Sequence, residues 1–405
     1  MKEIKTALKM ENVHSDIRGP LFYEANEMSE RGLEVLKLNT GNPASFGFTM
    51  PKSITEAIRG GIERTLGYCD FRGMRDAREA ILAYHKSKGL KDISADDIYV
   101  GNGVSEVVSF ALSALLDRGD EVLVPSPCYS LWSNSVYLCD AKPVFYTCDE
   151  AADWNPDTKD IERKITAKTK AIVIINPNNP TGALYSENIL KKIADIARRH
   201  NLLLFSDEIY DRLVMDGAEH ISVAALAPDV PTVTMNGLSK SHCLCGLRCG
   251  WMVVSGPRAA TEKYQQNLIK LTSMRLCANT FSQIVIPAAL SDIETPASMV
   301  RPEGRIFEQR EAATKELSKI ESLSFVKNKA AFYVFPRLDT KKLGITDDKK
   351  FARDLLHATN ILIVPGSGFD WQEPDHFRIV MLPEPDVLTE AIRRMGDFLD
   401  GYRQK

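Results

Sequence analysis

The sequence predicts an α/β protein whose large domain holds a mostly parallel, seven-stranded sheet, with a smaller α+β domain beside it. Seven short aliphatic runs occur between residues 98 and 254, and helix-like stretches separate most of them. Strands that alternate with helices form βαβ units, so their sheet is mostly parallel and carries helices on both faces. A change to a long charged helical pattern after residue 290 predicts the second domain.

Two periodicities define the elements of the large domain. The predicted strands are Ile98–Val100, Glu121–Val124, Pro143–Tyr146, Ala171–Ile175, Leu202–Phe205, Thr232–Met235 and Gly250–Val254. The stretches Val104–Leu116, Asn188–His200 and Arg258–Leu271 repeat apolar residues at the i, i+3, i+4 spacing of a helix. These elements place the large domain at residues 50–290.

The smaller domain is predicted from the rest of the chain. A charged helix over Arg305–Ile320 precedes four short strands and a closing helix near Val387–Tyr402. The strands predicted there are Phe325–Val326, Ala331–Phe335, Ile361–Val364 and Phe377–Val380. Helix and strand in this order favour an α+β arrangement. We assign residues 1–49 and 291–405 to this domain.

Composition excludes several classes of protein. The 405 residues include 51 Lys+Arg and 54 Asp+Glu, which gives a formal charge of −3, and 44% are apolar. This composition is that of a globular protein with a large core, and the charge argues against nucleic-acid binding. No run approaches the roughly 18 apolar residues that span a bilayer, and the first residues contain no secretory signal. We expect a cytoplasmic protein that binds neither membrane nor nucleic acid.

The cysteines follow no metal-binding or disulfide pattern. The eight residues include no C-x-x-C pair, and the spacing of Cys243, Cys245 and Cys249 differs from that of zinc fingers and ribbons. We expect reduced thiols and no metal site.

Unusual loops follow the predicted strands, where ligands bind in an open parallel sheet. Gly101–Ser105 is a glycine turn that leads into a helix, and the free N–H groups there can bind a phosphate, although a plain turn explains it as well. Asn176–Gly182 contains two prolines that fix the backbone and asparagines that offer uncharged donors.

Three later residues add reactive groups. Asp207 follows a predicted strand, where a helix cap is the ordinary alternative, and Tyr210 would lie on the same side of a helical turn. Lys240 follows another strand in a loop of small residues. Desolvation there would lower its pKa and free the amine for Schiff-base chemistry; the alternative is a solvated surface lysine.

Together these loops supply a turn that can bind an anion, an amine, an acid, a phenol and an amide. These are the groups that hold pyridoxal phosphate. The order Gly-Asn-Gly-Val-Ser, Asn-Asn-Pro-Thr-Gly, Ser-Asp-Glu-Ile-Tyr and Ser-Lys, with Arg248 eight residues later, resembles the class I/II aminotransferases of pyridoxal-phosphate fold type I over essentially the whole chain. Ile17–Pro20, Asn42–Pro43 and Gly67–Asp70 resemble segments of the bacterial glutamate–pyruvate (alanine) aminotransferases.

This resemblance implies residues for the cofactor. Lys240 matches the Schiff-base lysine and Asp207 the carboxylate that holds the pyridinium proton; with Tyr210 they form the expected catalytic set. Asn179 and Tyr210 match the partners of the ring hydroxyl, and Tyr129 the aromatic residue stacked on the ring. The matches to the phosphate site are Val104, Ser105, Ser239 and Arg248.

The resemblance also implies substrate residues and a partner. Arg378 matches the arginine that grips the substrate α-carboxylate, which we would otherwise interpret as an outward residue on an alternating strand. Gly41 and Asn179 match further substrate contacts. Tyr68 matches a tyrosine that reaches the phosphate of the neighbouring subunit, so we expect a homodimer with shared active sites. Our candidate for the second carboxylate of glutamate is Arg18; a solvated arginine is the alternative.

The sequence departs from the family near Lys240. Gly237 stands where many members have a serine that touches the phosphate, so one hydroxyl is lost. Cys243 and Cys249 replace other residues around Arg248, and we interpret them as packing variants.

The expected activity is amino transfer between L-alanine and 2-oxoglutarate, giving pyruvate and L-glutamate in a ping-pong cycle. Other specificities (aspartate, aromatic or branched-chain substrates) and a C–S β-lyase activity remain open, because a linear sequence does not show the pocket. A sensor domain of a regulator is a third class, but residues 1–49 contain no helix-turn-helix pattern.

Overall fold

The computed structural model describes residues 4–405. Its strands are β1 (Leu36–Lys37), β2 (Ile98–Asn102), β3 (Glu121–Ser126), β4 (Lys142–Asp149), β5 (Asn155–Pro156), β6 (Thr169–Ile175), β7 (Leu203–Asp207), β8 (Thr232–Gly237), β9 (Cys249–Ser255), β10 (Leu323–Ser324), β11 (Tyr333–Val334), β12 (Arg337–Leu338), β13 (Ile361–Leu362), β14 (Val364–Pro365) and β15 (Phe377–Val380). Its α-helices are α1 (Pro20–Glu30), α2 (Lys52–Gly61), α3 (Arg75–Ser87), α4 (Val104–Ser113), α5 (Leu131–Leu138), α6 (Thr158–Lys164), α7 (Glu187–His200), α8 (Val223–Leu226), α9 (Leu238–Ser241), α10 (Arg258–Met274), α11 (Thr280–Gln283), α12 (Ile286–Ser291), α13 (Glu294–Val300), α14 (Arg305–Leu317), α15 (Thr340–Leu343), α16 (Asp348–Thr359) and α17 (Pro385–Gly401).

The large sheet is mostly parallel, as the sequence predicts. Its order is β2-β9-β8-β7-β6-β3-β4-β5. β3, β4, β6, β7 and β8 pair in parallel, whereas β9 is antiparallel to both of its neighbours. The aliphatic strands are buried along nearly their whole length, which is the pattern of a sheet covered on both faces.

The predicted number of strands is wrong by one. The additional strand β5 pairs antiparallel with the end of β4, with Cys148 opposite Pro156 and Asp149 opposite Asn155. Asparagine and proline are depleted in strands, so this two-residue edge gives no signal in the sequence.

The predicted helices are confirmed, with differences at several of their ends. α7 matches its prediction closely, whereas α10 continues to Met274 rather than Leu271, α14 ends at Leu317 rather than Ile320, and α4 ends at Ser113 rather than Leu116. The N–H groups of Leu115 and Leu116 both bond to the Leu112 carbonyl in a turn. The two leucines still pack against the core beneath α4, so the apolar periodicity continues where the helix does not.

The smaller domain differs more from its prediction. Phe325–Val326 is not a strand; β10 lies just before it and pairs with β12. The predicted strand Ile361–Val364 is two strands, because β13 pairs with β1 and β14 pairs with β15. The strand Phe377–Val380 is confirmed. The pairing of β1 with β13 joins residues 36–37 to the C-terminal part, but the domain boundaries themselves stay a prediction.

Within residues 4–405, no helix is both long and apolar enough to cross a membrane.

Candidate active site

A cavity of about 670 Å³ opens at the carboxyl edge of the large sheet, where the loops after β2, β3, β6, β7 and β8 meet. Among the residues that line it are Arg18, Gly41, Val104, Ser105, Tyr129, Asn179, Asp207, Tyr210, Ser239, Lys240, Arg248 and Arg378. Every residue predicted for the site except Tyr68 is therefore brought together here.

Lys240 lies on the short helix α9, directly after β8. Its Nζ donates a hydrogen bond to the Gly41 carbonyl at 2.7 Å and lies 3.9 Å from the Cys245 Sγ. Burial lowers the pKa of this amine, but the phenols of Tyr333 and Tyr129 and the thiol of Cys245 raise it, and the net direction is upward. The predicted lowering is wrong for the free lysine, because these neighbours outweigh the effect of burial.

Asp207 is the last residue of β7 and is almost fully buried. Its Oδ2 accepts from the Trp132 indole Nε1 at 3.2 Å, and its Oδ1 accepts from the Ile209 N–H at 3.3 Å. Burial raises the pKa of this carboxyl to about 6. Among residues 4–405 no lysine, arginine or histidine forms an ion pair with it. The pocket thus presents a buried carboxylate that lacks a cation.

The chain after Asp207 forms turns rather than a helix. The Asp211 N–H bonds to the Glu208 carbonyl, and α8 does not begin until Val223. Both helix-based expectations are therefore wrong: Asp207 is not a helix cap, and Tyr210 reaches the cavity from a turn. The Tyr210 hydroxyl lies 2.8 Å from that of Tyr333.

The cradle for an anion lies where β2 meets α4. Gly103 has φ +81° and leads into Val104, and no side chain caps the first N–H groups of the helix. A Cβ at Gly103 would lie 2.3 Å from an Arg248 Nη atom, so the guanidinium packs on this turn. Ser105 and Ser239 line the same cavity. This is an electropositive helix end with an arginine beside it.

Arg378 lies on β15 with only 1% of its surface exposed. Its guanidinium donates to the Asn179 Oδ1 at 2.9 Å and to the Asn39 carbonyl, and it lies between the rings of Tyr333 and Phe369 at 4.5 and 4.6 Å. Its Nε has no partner, and no carboxylate within the described residues pairs with it. The interpretation as an outward residue is wrong, because the side chain is buried. A buried guanidinium without an anion has the chemistry to bind a carboxylate.

Comparisons with known proteins bear on this geometry. The family model described as aminotransferase class I and II matches residues 34–395. The chain belongs to this family. It is 47% identical over the full length of both chains to the glutamate-pyruvate aminotransferase of Escherichia coli, and 49% identical to that of Haemophilus influenzae over 98% of each chain. The crystal structure of an aminotransferase from Escherichia coli superposes with a TM-score of 0.98 at 47% identity, with both chains fully covered.

The cofactor of this aminotransferase is pyridoxal 5′-phosphate, and the cavity has groups that fit it. Asp207 offers an unpaired buried carboxylate to a protonated ring nitrogen, and the start of α4 with Arg248 offers donors to a phosphate. The Lys240 amine offers a nucleophile to an aldehyde. Apart from the predicted number of strands in the large sheet, the expected fold type I is confirmed by the aminotransferase structures that the chain resembles.

Two predicted residues of the aminotransferase lie at the surface. Arg18 is exposed at the mouth of the cavity, on the segment before α1. Tyr68 is 83% exposed and lies outside the cavity of its own chain.

Sequence reasoning missed three side chains of this site. Trp132 binds Asp207, Tyr333 contacts both Tyr210 and Arg378, and Cys245 lies beside Lys240. Tyr333 stands in an apolar stretch and Trp132 among serines, and neither has a neighbour in the sequence that distinguishes it from an ordinary core residue. Cys245 follows Lys240 by five positions, but a cysteine is equally common as a small apolar residue.

The cysteines near Lys240 do not converge on one point. Cys243 Sγ lies 3.8 Å from the Met299 sulfur, Cys245 donates to the Ser239 carbonyl at 3.0 Å, and Cys249 is buried in β9. All eight cysteines are free thiols.

One other group has the composition of a metal site. Ligand atoms of Glu208, Asp211 and His220 lie within 4.8 Å of one another, beside a second cavity of about 860 Å³. The Lys88 ammonium lies 3.4 Å from Asp211 and 3.5 Å from the His220 Nδ1. Because a cation already faces these ligands, we assign no metal to the group.

Proposed function

We propose that this aminotransferase transfers the amino group between L-alanine and 2-oxoglutarate, giving pyruvate and L-glutamate. The full-length relatives named glutamate-pyruvate aminotransferases support this choice of substrates. The observation that carries amino transfer as the reaction, whatever the side chain of the substrate, is the buried Arg378 guanidinium, which has no carboxylate partner among the described residues and lines the same cavity as Lys240. Every amino acid and 2-oxo acid has the α-carboxylate that such a group binds bidentately.

Lys240 is the proposed nucleophile and the base. When bound, pyridoxal phosphate supplies an aldehyde that captures an amino group and a ring that accepts electrons from the substrate Cα. The Lys240 amine would hold the cofactor, and as a free amine it would move the substrate α-proton as base and then as acid. The hydrogen bond from Nζ to the Gly41 carbonyl keeps the amine inside the cavity.

Asp207 holds the proton on the ring nitrogen. A carboxylate with a raised pKa gains most from a cation placed against it, because burial has removed the water that would otherwise solvate its charge. Trp132 fixes the carboxylate plane by its hydrogen bond. Tyr210 and Asn179 would bind the hydroxyl of the cofactor ring, and Tyr129 would contact the ring.

The phosphate would be held by the N–H groups of Val104 and Ser105, the hydroxyls of Ser105 and Ser239, and the Arg248 guanidinium. Gly237 offers no hydroxyl, so Arg248 and the two serines carry more of the binding. The position of Arg248 against the Gly103 backbone supports this role.

The active unit is a homodimer in the cytoplasm, in which Tyr68 completes the phosphate site of the partner subunit. Tyr68, Leu66 and Ile62 form an exposed apolar segment, with 83%, 84% and 49% of their surfaces exposed. Exposed apolar residues clustered in this way are typical of a protein interface. The free thiols fit a reducing compartment.

Arg18 serves the second carboxylate of glutamate and 2-oxoglutarate. It has no hydrogen bond or ion pair among the described residues, and it stands where a longer substrate would emerge from the cavity. An exposed arginine can turn toward a distal carboxylate and leave the methyl group of alanine untouched.

A panel of amino donors with 2-oxoglutarate and with pyruvate tests the proposal. We expect alanine with 2-oxoglutarate, and glutamate with pyruvate, to give the highest kcat/KM. A preference for aspartate, aromatic or branched-chain donors would contradict the substrate assignment but not the family. Release of ammonia and pyruvate from cystathionine without an acceptor would indicate a β-lyase.

A further inference from the structure

The side chain of Tyr333 touches three predicted parts of the active site at once. It lies on β11, which pairs antiparallel with β15, the strand of Arg378. It is 2% exposed and lines the cavity. It contacts the arginine with its ring, and Tyr210 and Gly41 with its hydroxyl.

The ring of Tyr333 forms one of the two walls that hold Arg378. The guanidinium carbon lies 4.5 Å from the Tyr333 ring centre and 4.6 Å from that of Phe369. The arginine has no carboxylate partner in the described residues, so these faces and two neutral acceptors stabilise its charge. Aromatic rings packed against a planar guanidinium restrict its orientation. That orientation determines the direction in which the guanidinium donates two hydrogen bonds to a carboxylate.

The hydroxyl of Tyr333 connects β11 to two residues that line the cavity, Tyr210 and Gly41. Its oxygen lies 2.8 Å from the Tyr210 oxygen. A Cβ at Gly41 would lie only 2.2 Å from it, so the hydroxyl packs directly on the residue whose carbonyl accepts from Lys240. A phenol has one proton to donate. If Tyr210 donates its proton to the hydroxyl of the cofactor ring, then Tyr333 must be the donor in the hydrogen bond between the two tyrosines.

We propose that Tyr333 is a positioning residue with two separable tasks: its ring orients Arg378 for the substrate carboxylate, and its hydroxyl orients the Tyr210 proton toward the cofactor ring. The inference rests on the roles given to Arg378 and Tyr210 in the proposed function. It assigns Tyr333 to both halves of the reaction, because alanine and 2-oxoglutarate share the α-carboxylate.

Two variants separate the tasks. Tyr333→Phe keeps the ring and removes the hydroxyl. We expect the KM for alanine to change less than twofold. The pH at which the absorption change of the bound cofactor is half complete should rise by about 0.5 pH unit, because one neutral hydrogen bond contributes a free energy of that order. Tyr333→Leu removes the ring. We expect it to raise the KM for alanine and the KM for 2-oxoglutarate by about tenfold each. The inhibition constant of propionate, a competitive inhibitor, should also rise by about tenfold.

Two further variants serve as controls. Phe351→Leu removes another buried ring of the smaller domain, one that does not line the cavity, and reports the cost of lost packing on Tm and KM. Arg378→Lys tests the role on which the inference rests. The absorption titration and the Tm of the enzyme without cofactor give readouts other than turnover.

Each outcome decides a separate statement. An unmoved absorption midpoint in Tyr333→Phe would overturn the hydroxyl's task. A KM increase in Tyr333→Leu no larger than that in Phe351→Leu would overturn the ring's task, provided that Arg378→Lys does raise the KM. An unchanged KM in Arg378→Lys would contradict the proposed function itself. If Tyr333→Leu fails to fold, the Tyr333→Phe titration still decides the first task.

Discussion

The indole of Trp132 donates a hydrogen bond to the Asp207 carboxylate at 3.2 Å, across 75 positions of the chain. This contact and the Ile209 N–H are the only hydrogen bonds that the carboxylate accepts from the described residues, and neither donor is charged. The carboxylate is therefore fixed in direction but remains free to pair with a cationic ring.

We predict that Asp207→Asn lowers the rate of α-proton transfer by at least about a hundredfold. The amide keeps the shape but cannot hold the proton on the ring nitrogen, and a charged hydrogen bond is worth about 1.5–3 kcal/mol even before the transition state is considered. Single-turnover absorption kinetics with alanine measures the step. Trp132→Phe is the matched control, with a loss of about tenfold or less; near-normal turnover in Asp207→Asn would leave the carboxylate a structural group.

Lys240 is predicted to be the attachment point of the cofactor. Borohydride reduction followed by peptide mass mapping should find the pyridoxyl group on Lys240, because its amine lies in the cavity beside the anion cradle. Lys88, which lies 3.4 Å from Asp211 at the second cavity, is an internal control and should carry no label. A pyridoxyl group on any lysine other than Lys240 contradicts the assignment.

Tyr68 is predicted to act in the partner subunit. Tyr68→Ala and Lys240→Ala homodimers should each be impaired, whereas co-expressed chains form hybrids in which one site carries both changes and the other carries neither. The intact site should recover about a quarter to a half of wild-type activity, depending on how the chains assort. Mixtures no more active than the parent dimers would show that the sites are not shared.

Arg18→Ala is predicted to separate the two half-reactions. The loss of about 1.5–3 kcal/mol of interaction with the distal carboxylate corresponds to about ten- to hundredfold weaker use of glutamate and 2-oxoglutarate. The alanine half-reaction should change far less, since its methyl group has no charge to pair. Single-turnover kinetics of each half-reaction measures the difference, and Arg31→Ala, a surface arginine outside the cavity, is the control. Equal losses for both substrates would make Arg18 a structural residue.

His14 is predicted to stabilise the folded chain in a pH-dependent way. Hydrogen bonds to Asp16 and Asp370 raise its pKa to about 9, at distances of 3.2 and 3.1 Å. A pKa raised on folding adds stability that is complete below about pH 6.5, the unfolded value, and is lost as the pH rises through about 9. Since about a third of the ring is exposed and screened, His14→Gln should lower Tm by only about 2 °C at pH 6 and by nothing at pH 10. Thermal unfolding of the enzyme without cofactor at both pH values measures this; a difference that does not depend on pH would contradict it.

The sequence by itself determined the parallel sheet, the helices between its strands and the order of the loops at its carboxyl edge. These depend on local periodicity and on residues that are neighbours in the chain, so they can be read before any folding is known. The resemblance of those loops to a family then predicted the roles of Lys240, Asp207 and Arg378, which all line the same cavity.

Only the tertiary structure decided what surrounds these groups. Trp132, Tyr333 and Phe369 are apolar or aromatic residues in the sequence, and nothing near them in the chain shows that they bind Asp207 or hold Arg378. The same holds for the upward pKa of Lys240 and for the two-residue strands of the smaller domain. Hydrogen bonds, pKa shifts and short strand pairings depend on distances between residues far apart in sequence, and these exist only once the chain has folded.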